Sequence, residues 1–543
     1  MLPKAATYQE LVERFRWDIP ERFNIGVAAC DLWAGTEPNR PALILDEEGR
    51  IVSYGELRGL SNRIANLLAA RGARRGDRIG VLLPQALETA AGHIAIYKMG
   101  AIAVPLFVLF GPEALEHRIV DAGIAHVITN RQGAEKLRAM GAGAQEGLDI
   151  LTVDGGHKDL RTADLHTLLA GKADSFTPVD TVADDPALII YTSGTTGAPK
   201  GALHAHRVLP GHLPGVEMHH EFLPQSGDVI WTPADWAWIG GLLDVLLPAL
   251  FHGVPVVARR FDRFSAEDAF ALMARHRVTN AFLPPTALKM MRAAFPDAPP
   301  EPLHLRTVGS GGESLGAELI DWGRRVLGVT INEFYGQTEC NLVVSSCSAI
   351  METRPGLMGR PVPGHTVAII DEDGAEVAAG EEGMIAVRRP DPVMFLEYWN
   401  NRQATADKFI GDWLVTGDRG IMDAEGWLRF VGRDDDVITS AGYRIGPAGI
   451  EDCLIRHPAV RMAAVVGKPD PERTEIVKAY VVLAEGCALD AALTEELKAH
   501  VRQRLAAHEY PREIEAIDEL PVTTTGKIMR RVLRARAAGE GGP

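Results

Sequence analysis

Ala187-Leu-Ile-Ile-Tyr-Thr-Ser-Gly-Thr-Thr-Gly-Ala-Pro-Lys-Gly201 decides the reading of this chain of 543 residues. An apolar run of strand character enters a turn that carries hydroxyls on Thr192, Ser193, Thr195 and Thr196. Gly194, Gly197 and Gly201 let backbone approach a ligand closely, and Lys200 supplies a cation. Amides and hydroxyls presented without side-chain bulk suit a polyphosphate. The spacing does not match GxxxxGK[ST], so this is not a Walker A loop. A plain polar surface turn has no need of this many hydroxyls and glycines directly after an apolar strand.

Outward from that stretch, strand and helix signals alternate. Ile51-Val-Ser-Tyr54 leads into a capping box, Ser53 with Glu56 three residues on, and Leu57, Leu60, Ile64 and Leu67 then mark one helix face that stops at Gly72. Arg78–Pro84 reads as a strand, about Leu87 to Met99 as a helix ending at Gly100, and Ala101–Leu106 as a strand again. Glu113–Gly123 and Ala125–Asn130 repeat the pattern. Such alternation predicts βαβ units and parallel sheets covered by helices. From Asp371 to Arg388 and from Trp413 to Ile438 the chain turns β-rich, with turns expected at Thr416–Asp418 and Glu425–Gly426. A charged turn at Gly432–Asp436 precedes about a hundred residues of mixed character. The expected fold is therefore α/β: a large domain over 1–432 with parallel-type βαβ sheets and a β-rich subdomain, a hinge at 433–435, and a small α+β domain over 436–543.

Composition bounds the function. Hydrophobic residues make up 46% and charged residues 24%, which excludes a disordered chain. Fifty-six basic against 72 acidic residues leave a net charge of −16, a poor match to a nucleic acid backbone. Five scattered cysteines, Cys30, Cys340, Cys347, Cys453 and Cys487, form no C-x-x-C and point to a reducing compartment. The amino terminus has no signal-peptide run, and the most apolar stretch, Ile239 to Ala258, is broken by Asp244, Pro248, His252 and Pro255. No membrane association is expected; the expected location is the cytoplasm.

Six further motifs follow the hydroxyl-rich turn in order: Gly311-Gly-Glu-Ser314, Tyr335-Gly-Gln-Thr-Glu339, Thr416-Gly-Asp418, Gly432-Arg-Asp-Asp-Asp-Val437, Ala441-Gly-Tyr-Arg444 and Thr523-Thr-Thr-Gly-Lys527. Each alone is weak. Together, along nearly the whole chain, they resemble the acyl-adenylate-forming enzymes, which include acyl-CoA synthetases, luciferases and peptide-synthetase adenylation domains; the layout is most similar to the medium-chain acyl-CoA synthetases. The resemblance implies an ATP-dependent ligase that joins a small carboxylic acid to AMP and passes the acyl group to CoA, with Mg2+ as cofactor. It implies nucleotide contacts from Thr192–Gly197, Lys200, Gly312, Glu313, Ser314, Tyr335, Gly336, Gln337, Asp418, Arg433 and Arg444. Thr338, Glu339 and Lys527 take the catalytic roles, Glu339 as metal ligand and Lys527 between the substrate carboxylate and the α-phosphate. A carboxylate near a triphosphate is what magnesium requires, Tyr335 offers a face for adenine, and Asp418 can accept from both ribose hydroxyls. A cation where charge builds on phosphorus lowers the barrier electrostatically.

The resemblance also implies a rotation of the small domain between the two half-reactions, about Asp435, with Gly442 leaving room for pantetheine. Trp238, Ile239, Gly240, Gly311 and Gly336 fall at the acyl site. Three glycines where short-acyl enzymes carry bulk suggest an opened pocket, and each buried methylene of a longer chain adds about 0.8 kcal/mol. The expectation is a medium-chain, branched or aromatic acid rather than acetate. Pro521–Lys527 resembles the segment acetylated in acyl-CoA synthetases, so a protein acetyltransferase acting on Lys527 is a candidate partner, as is a second copy of the chain in a homo-oligomer. The pairs His204/His206 and His219/His220 have no complementary zinc ligands and read as structural or surface histidines. The rival readings are an adenylating ligase for a carrier protein, a luciferase-like oxygenase and a catalytically silent nucleotide-binding relative.

Overall fold

A computed structural model describes residues 2–192, 198–261, 263–313, 315–434, 436–440, 443–471, 473–505, 509–522 and 528–539, without the side chains of Tyr443 and Arg444. Among these residues the strands form sheets of nine, eight, five and five strands.

The eight-stranded sheet is built on the alternation seen in the sequence. Its parallel strands are Pro186–Thr192, Ile102–Pro105, Arg78–Leu82, His126–Thr129, Asp149–Thr152 and Ala163–Asp164, in that spatial order. Lys200–Ala205 returns antiparallel along Pro186–Thr192, pairing Thr192 with Lys200, so both flanks of the hydroxyl-rich turn are fixed by one ladder. The helix Tyr54–Ala70 starts as its sequence says: Ser53 Oγ accepts from Glu56 N–H at 3.2 Å, and Glu56 Oε2 accepts from Ser53 N–H at 2.8 Å. The expected helix from Leu87 spans Leu87–Lys98, and that at Glu113 spans Pro112–Ala122, closed by Gly123 in the left-handed region at φ +61°.

The nine-stranded sheet has a parallel centre of Pro41–Leu45, Val256–Ala258, Ile230–Trp231, Asn280–Phe282, Thr307–Gly311 and Ile331–Gln337, with antiparallel strands at both edges. The apolar stretch from Ile239 folds into three short helical segments, Ile239–Gly241, Leu242–Leu246 and Leu247–His252, and the strand Val256–Ala258. Among the described residues no helix is long and apolar enough to cross a membrane.

The β-rich segment is an antiparallel sheet of Val367–Ile370, Glu382–Arg388, Trp413–Met422, Phe409–Ile410 and Leu428–Arg433. Here one expectation fails. Thr416–Asp418 is no turn but the middle of the Trp413–Met422 strand, which pairs on both sides. Gly417 sits at φ +79°, a conformation glycine takes without steric cost, so the strand passes through a local irregularity and the ladder resumes. Glu425–Gly426 does form the turn between strands. The last sheet, Tyr443–Ile445, Ile438–Ser440, Thr474–Leu483 and Val460–Asp470 with Glu513–Ala516 parallel to Thr474–Leu483, makes a smaller α+β unit with the helices Pro447–Ile455, Ala491–Arg504 and Arg530–Ala537.

Candidate active site

Three parallel strands, Pro186–Thr192, Thr307–Gly311 and Ile331–Gln337, deliver their carboxyl ends to one cleft of about 770 Å3. That is where open α/β sheets place their ligands. The cleft gathers Thr192 and Lys200, Trp238, Ile239 and Gly240, Gly311, Gly312 and Glu313, Tyr335 through Glu339, and Asp418 with Arg433. From the carboxy-terminal unit come Asp436, Ala448, Glu451, Asp452 and Ile528 through Arg531. Of the residues singled out in the sequence, Ser193, Gly194, Thr195, Thr196, Gly197, Ser314, Asp435, Gly442 and Lys527 lie outside the described residues, as does the Arg444 side chain.

Tyr335 is buried, and its hydroxyl donates to Asp418 Oδ2 at 2.6 Å, while Arg433 Nη1 stands 3.3 Å from Asp418 Oδ1. Burial and the neighbouring Asp418 carboxylate hold the phenol well above its ordinary pKa, so it stays a donor and fixes the ring plane. Gln337 Nε2 donates to the Thr416 carbonyl at 3.0 Å, and Lys408 Nζ donates to Gln337 Oε1 at 2.9 Å and to the same carbonyl at 3.1 Å. Glu339 is buried too. Its Oε1 accepts from the Tyr398 hydroxyl, and its other oxygen has no hydrogen-bond partner among the described residues. An ionisable carboxyl with one oxygen committed and one unpaired fits a hard divalent cation. Lys200 Nζ lies 5.1 Å from the centre of the Tyr398 ring, which ties the cation after the hydroxyl-rich turn to the carboxylate opposite.

Sequence reasoning missed Tyr398, Lys408, Arg118 and Glu333. None stands in a recognisable spacing; only the fold carries them to the cleft. Glu333 is pushed up to about 8 by burial, against the Leu315 N–H that donates to it at 3.3 Å, and Asp452 up to about 6, also by burial. Arg118, stacked 3.9 Å over Phe110, is drawn down to about 10 by burial.

The acyl-site glycines require a correction. A Cβ on Gly336 would stand 1.5 Å from the Asn341 carbonyl oxygen, so this glycine answers to the close return of the Asn341–Ser345 strand and not to an acyl chain. A Cβ on Gly311 would strike the Phe334 ring at 2.6 Å, and one on Gly240 the Phe282 ring at 2.9 Å. The volume the glycines vacate is thus taken back by backbone and by two aromatic rings. Phe334, Phe282 and Trp238, with centroids 5.3 and 5.9 Å apart in successive pairs, wall this end of the cleft.

The histidine pairs are structural, and none is at the surface. His204, His206, His219 and His220 are fully buried, and burial lowers their pKa values, to about 3 for His204 and His219 and about 4 for His206. His219 stacks on Phe334 at 4.5 Å and supports the aromatic wall from behind.

Comparison with known proteins agrees with this geometry. The family model described as AMP-binding enzyme matches residues 30–399, and that described as AMP-binding enzyme C-terminal domain matches residues 449–527. An acetyl-coenzyme A synthetase of Bacillus subtilis is 34% identical over 97% of this chain and 94% of its own. A mitochondrial acyl-coenzyme A synthetase of Rattus norvegicus is 33% identical over 98% and 93%. Among solved structures, an acyl-CoA synthetase from Brucella canis matches with a TM-score of 0.76 at 35% identity over 98% of this chain and 99% of its own. A benzoate CoA ligase from Burkholderia xenovorans matches with 0.82 at 28% over 94% and 100%. The chain belongs to the AMP-binding enzyme family. Within it, this is an ATP-dependent, AMP-forming acid–CoA ligase, which uses ATP, Mg2+ and CoA.

Proposed function

We propose that the cleft adenylates an aromatic or compact branched carboxylic acid and that the carboxy-terminal unit supplies the cation for that step. The observation that carries this reading is the meeting, in one cleft, of the strand ends at Thr192, Gly311 and Gln337 with Ile528–Arg531, the residues directly after Lys527. The aromatic walls of Trp238, Phe282 and Phe334 suit a flat or compact acyl group better than a long chain.

A carboxylate is a poor acyl donor because oxide would have to leave. Its oxygen attacks the α-phosphorus of ATP, the bond to pyrophosphate breaks, and an acyl-AMP anhydride forms; a CoA thiolate then displaces AMP from the acyl carbon. The chain's part is positioning and charge stabilisation. Tyr335 and Asp418 orient adenine and ribose. Thr192, Lys200 and the hydroxyls of 193–196 hold the β- and γ-phosphates. Glu339, with Thr338 beside it, holds Mg2+, which offsets phosphate charge when bound. Lys527 bridges the acid and the α-phosphate, then withdraws as the unit beyond 433–435 turns about Asp435 and brings the Ala441–Arg444 loop to the thiol.

Acetylation of Lys527 by a protein acetyltransferase would remove that charge and stop the first half-reaction. The five cysteines are free and four are buried, in keeping with a cytoplasmic enzyme. ATP-dependent pyrophosphate release over a panel from acetate through hexanoate and isovalerate to benzoate tests the reading. Benzoate or a compact branched acid is expected to give the highest kcat/KM; acetate or a long straight-chain acid in that place contradicts it.

A further inference from the structure

Asp244 is a carboxylic acid where an acyl-binding cleft has no evident need of one. It sits at the centre of the Leu242–Leu246 segment, a π-helical turn between two short α-helical pieces. Such widened turns recur at functional sites because they re-aim a side chain. The residue is only 4% exposed, yet it borders the cleft. Its Oδ1 is held by His212 Nε2 at 2.5 Å. Its Oδ2 has no hydrogen-bond partner among the described residues and lies 3.3 Å from where a Cβ on Gly240 would stand, beside the Phe282 ring. Burial raises the pKa of this carboxyl, and His212 opposes the rise.

Among the described residues no group pairs with Oδ2, and the residue borders the cleft, so a donor on a ligand would meet an acceptor already held in place. His212 fixes one oxygen and so fixes the direction of the other. The free oxygen lies at the aromatic end of the cleft, beside Gly240 and the Phe282 ring. We propose that Asp244 is a specificity-determining residue: its Oδ2 accepts a hydrogen bond from a neutral donor, a hydroxyl foremost, on the ring or chain of the acid. This rests on the reading of the cleft as an acid-adenylating site. A neutral donor is favoured over an ammonium group because stripping water from an ion at an aromatic wall costs far more than stripping it from a hydroxyl. A site built around a buried hydrogen bond rejects the analogue that lacks the partner group much more strongly than an apolar pocket rejects a missing methylene.

The test is kcat/KM for pyrophosphate release with matched acids: benzoate and its 2-, 3- and 4-hydroxy derivatives, 3-phenylpropanoate and its ring-hydroxylated derivatives, and 4-(aminomethyl)benzoate. At least one hydroxy acid is expected to exceed its parent by tenfold or more in the unmodified enzyme. Asp244→Leu should reverse that ratio in favour of the parent acid, and the isosteric Asp244→Asn should reduce it. Because each comparison is made within one variant, a general loss of folded protein cancels. If Asp244→Leu fails to fold, an unchanged ratio in Asp244→Asn overturns the proposal. Pyrophosphate release with no hydroxyl preference, or a preference for the aminomethyl acid, overturns it alone. No release with any acid would overturn the adenylation reading as well.

Discussion

Tyr398 joins two groups that the sequence placed 139 residues apart, with its hydroxyl on Glu339 and its ring under Lys200. Burial and the Glu339 carboxylate keep the phenol protonated, so it donates throughout the working pH range. Tyr398→Phe should free the carboxylate and let it turn; a hydrogen bond to a charged group is worth about 1.5–3 kcal/mol. The expected outcome is a fall of about tenfold or more in kcat/KM for ATP, with a raised requirement in a Mg2+ titration. Gly336 separates two readings of one residue. If it made room for substrate, Gly336→Ala would shift acid preference and leave stability alone. With the Asn341 carbonyl 1.5 Å from the new Cβ, the strand pair must move instead, and a loss of about 3 kcal/mol or more by urea unfolding is expected. Glu333 yields a prediction in pH. Its folded pKa near 8 exceeds the unfolded value, so its stabilising contribution is whole below about 4.5 and is lost as pH rises through 8. Glu333→Gln keeps an acceptor for the Leu315 N–H but cannot ionise. The Tm of the variant minus that of the native protein should therefore grow from pH 5 to pH 8.5.

At the scale of elements, what could be read from sequence was what is local. The Ser53–Glu56 box, the Gly123 stop and the strand into Thr192 are set by neighbours in the chain, and each appears where its pattern places it. Thr416–Asp418 misled because a threonine-glycine-aspartate run has the chemistry of a turn, while the ladders on both sides of Trp413–Met422 hold it extended. The acyl glycines misled for a related reason. Whether a glycine opens a cavity depends on what fills the space beside it, and the rings of Phe282 and Phe334 come from other strands. Tyr398, Lys408 and Asp244 were illegible because their roles arise only from tertiary packing.

Across the whole molecule, the carboxyl ends of strands in two sheets and the start of the Arg530–Ala537 helix surround one cleft. The motif order along the chain carried this, since six short segments far apart in sequence are of use together only if the fold collects them. Arg530 is anchored there by Glu451 at 2.7 Å, and Arg534 by Asp436, so the segment after Lys527 is pinned to its own unit. If that unit turns between the half-reactions as proposed, the charge it delivers serves one and leaves the other untouched.

Lys527→Ala, assayed separately for acid-dependent pyrophosphate release and for thioester formation from synthetic acyl-AMP and CoA, probes this most directly. Pyrophosphate release should drop at least about 100-fold while thioester formation from the supplied adenylate stays within a few-fold of the native rate. Equal losses in both assays, or adenylation that survives the change, would contradict it.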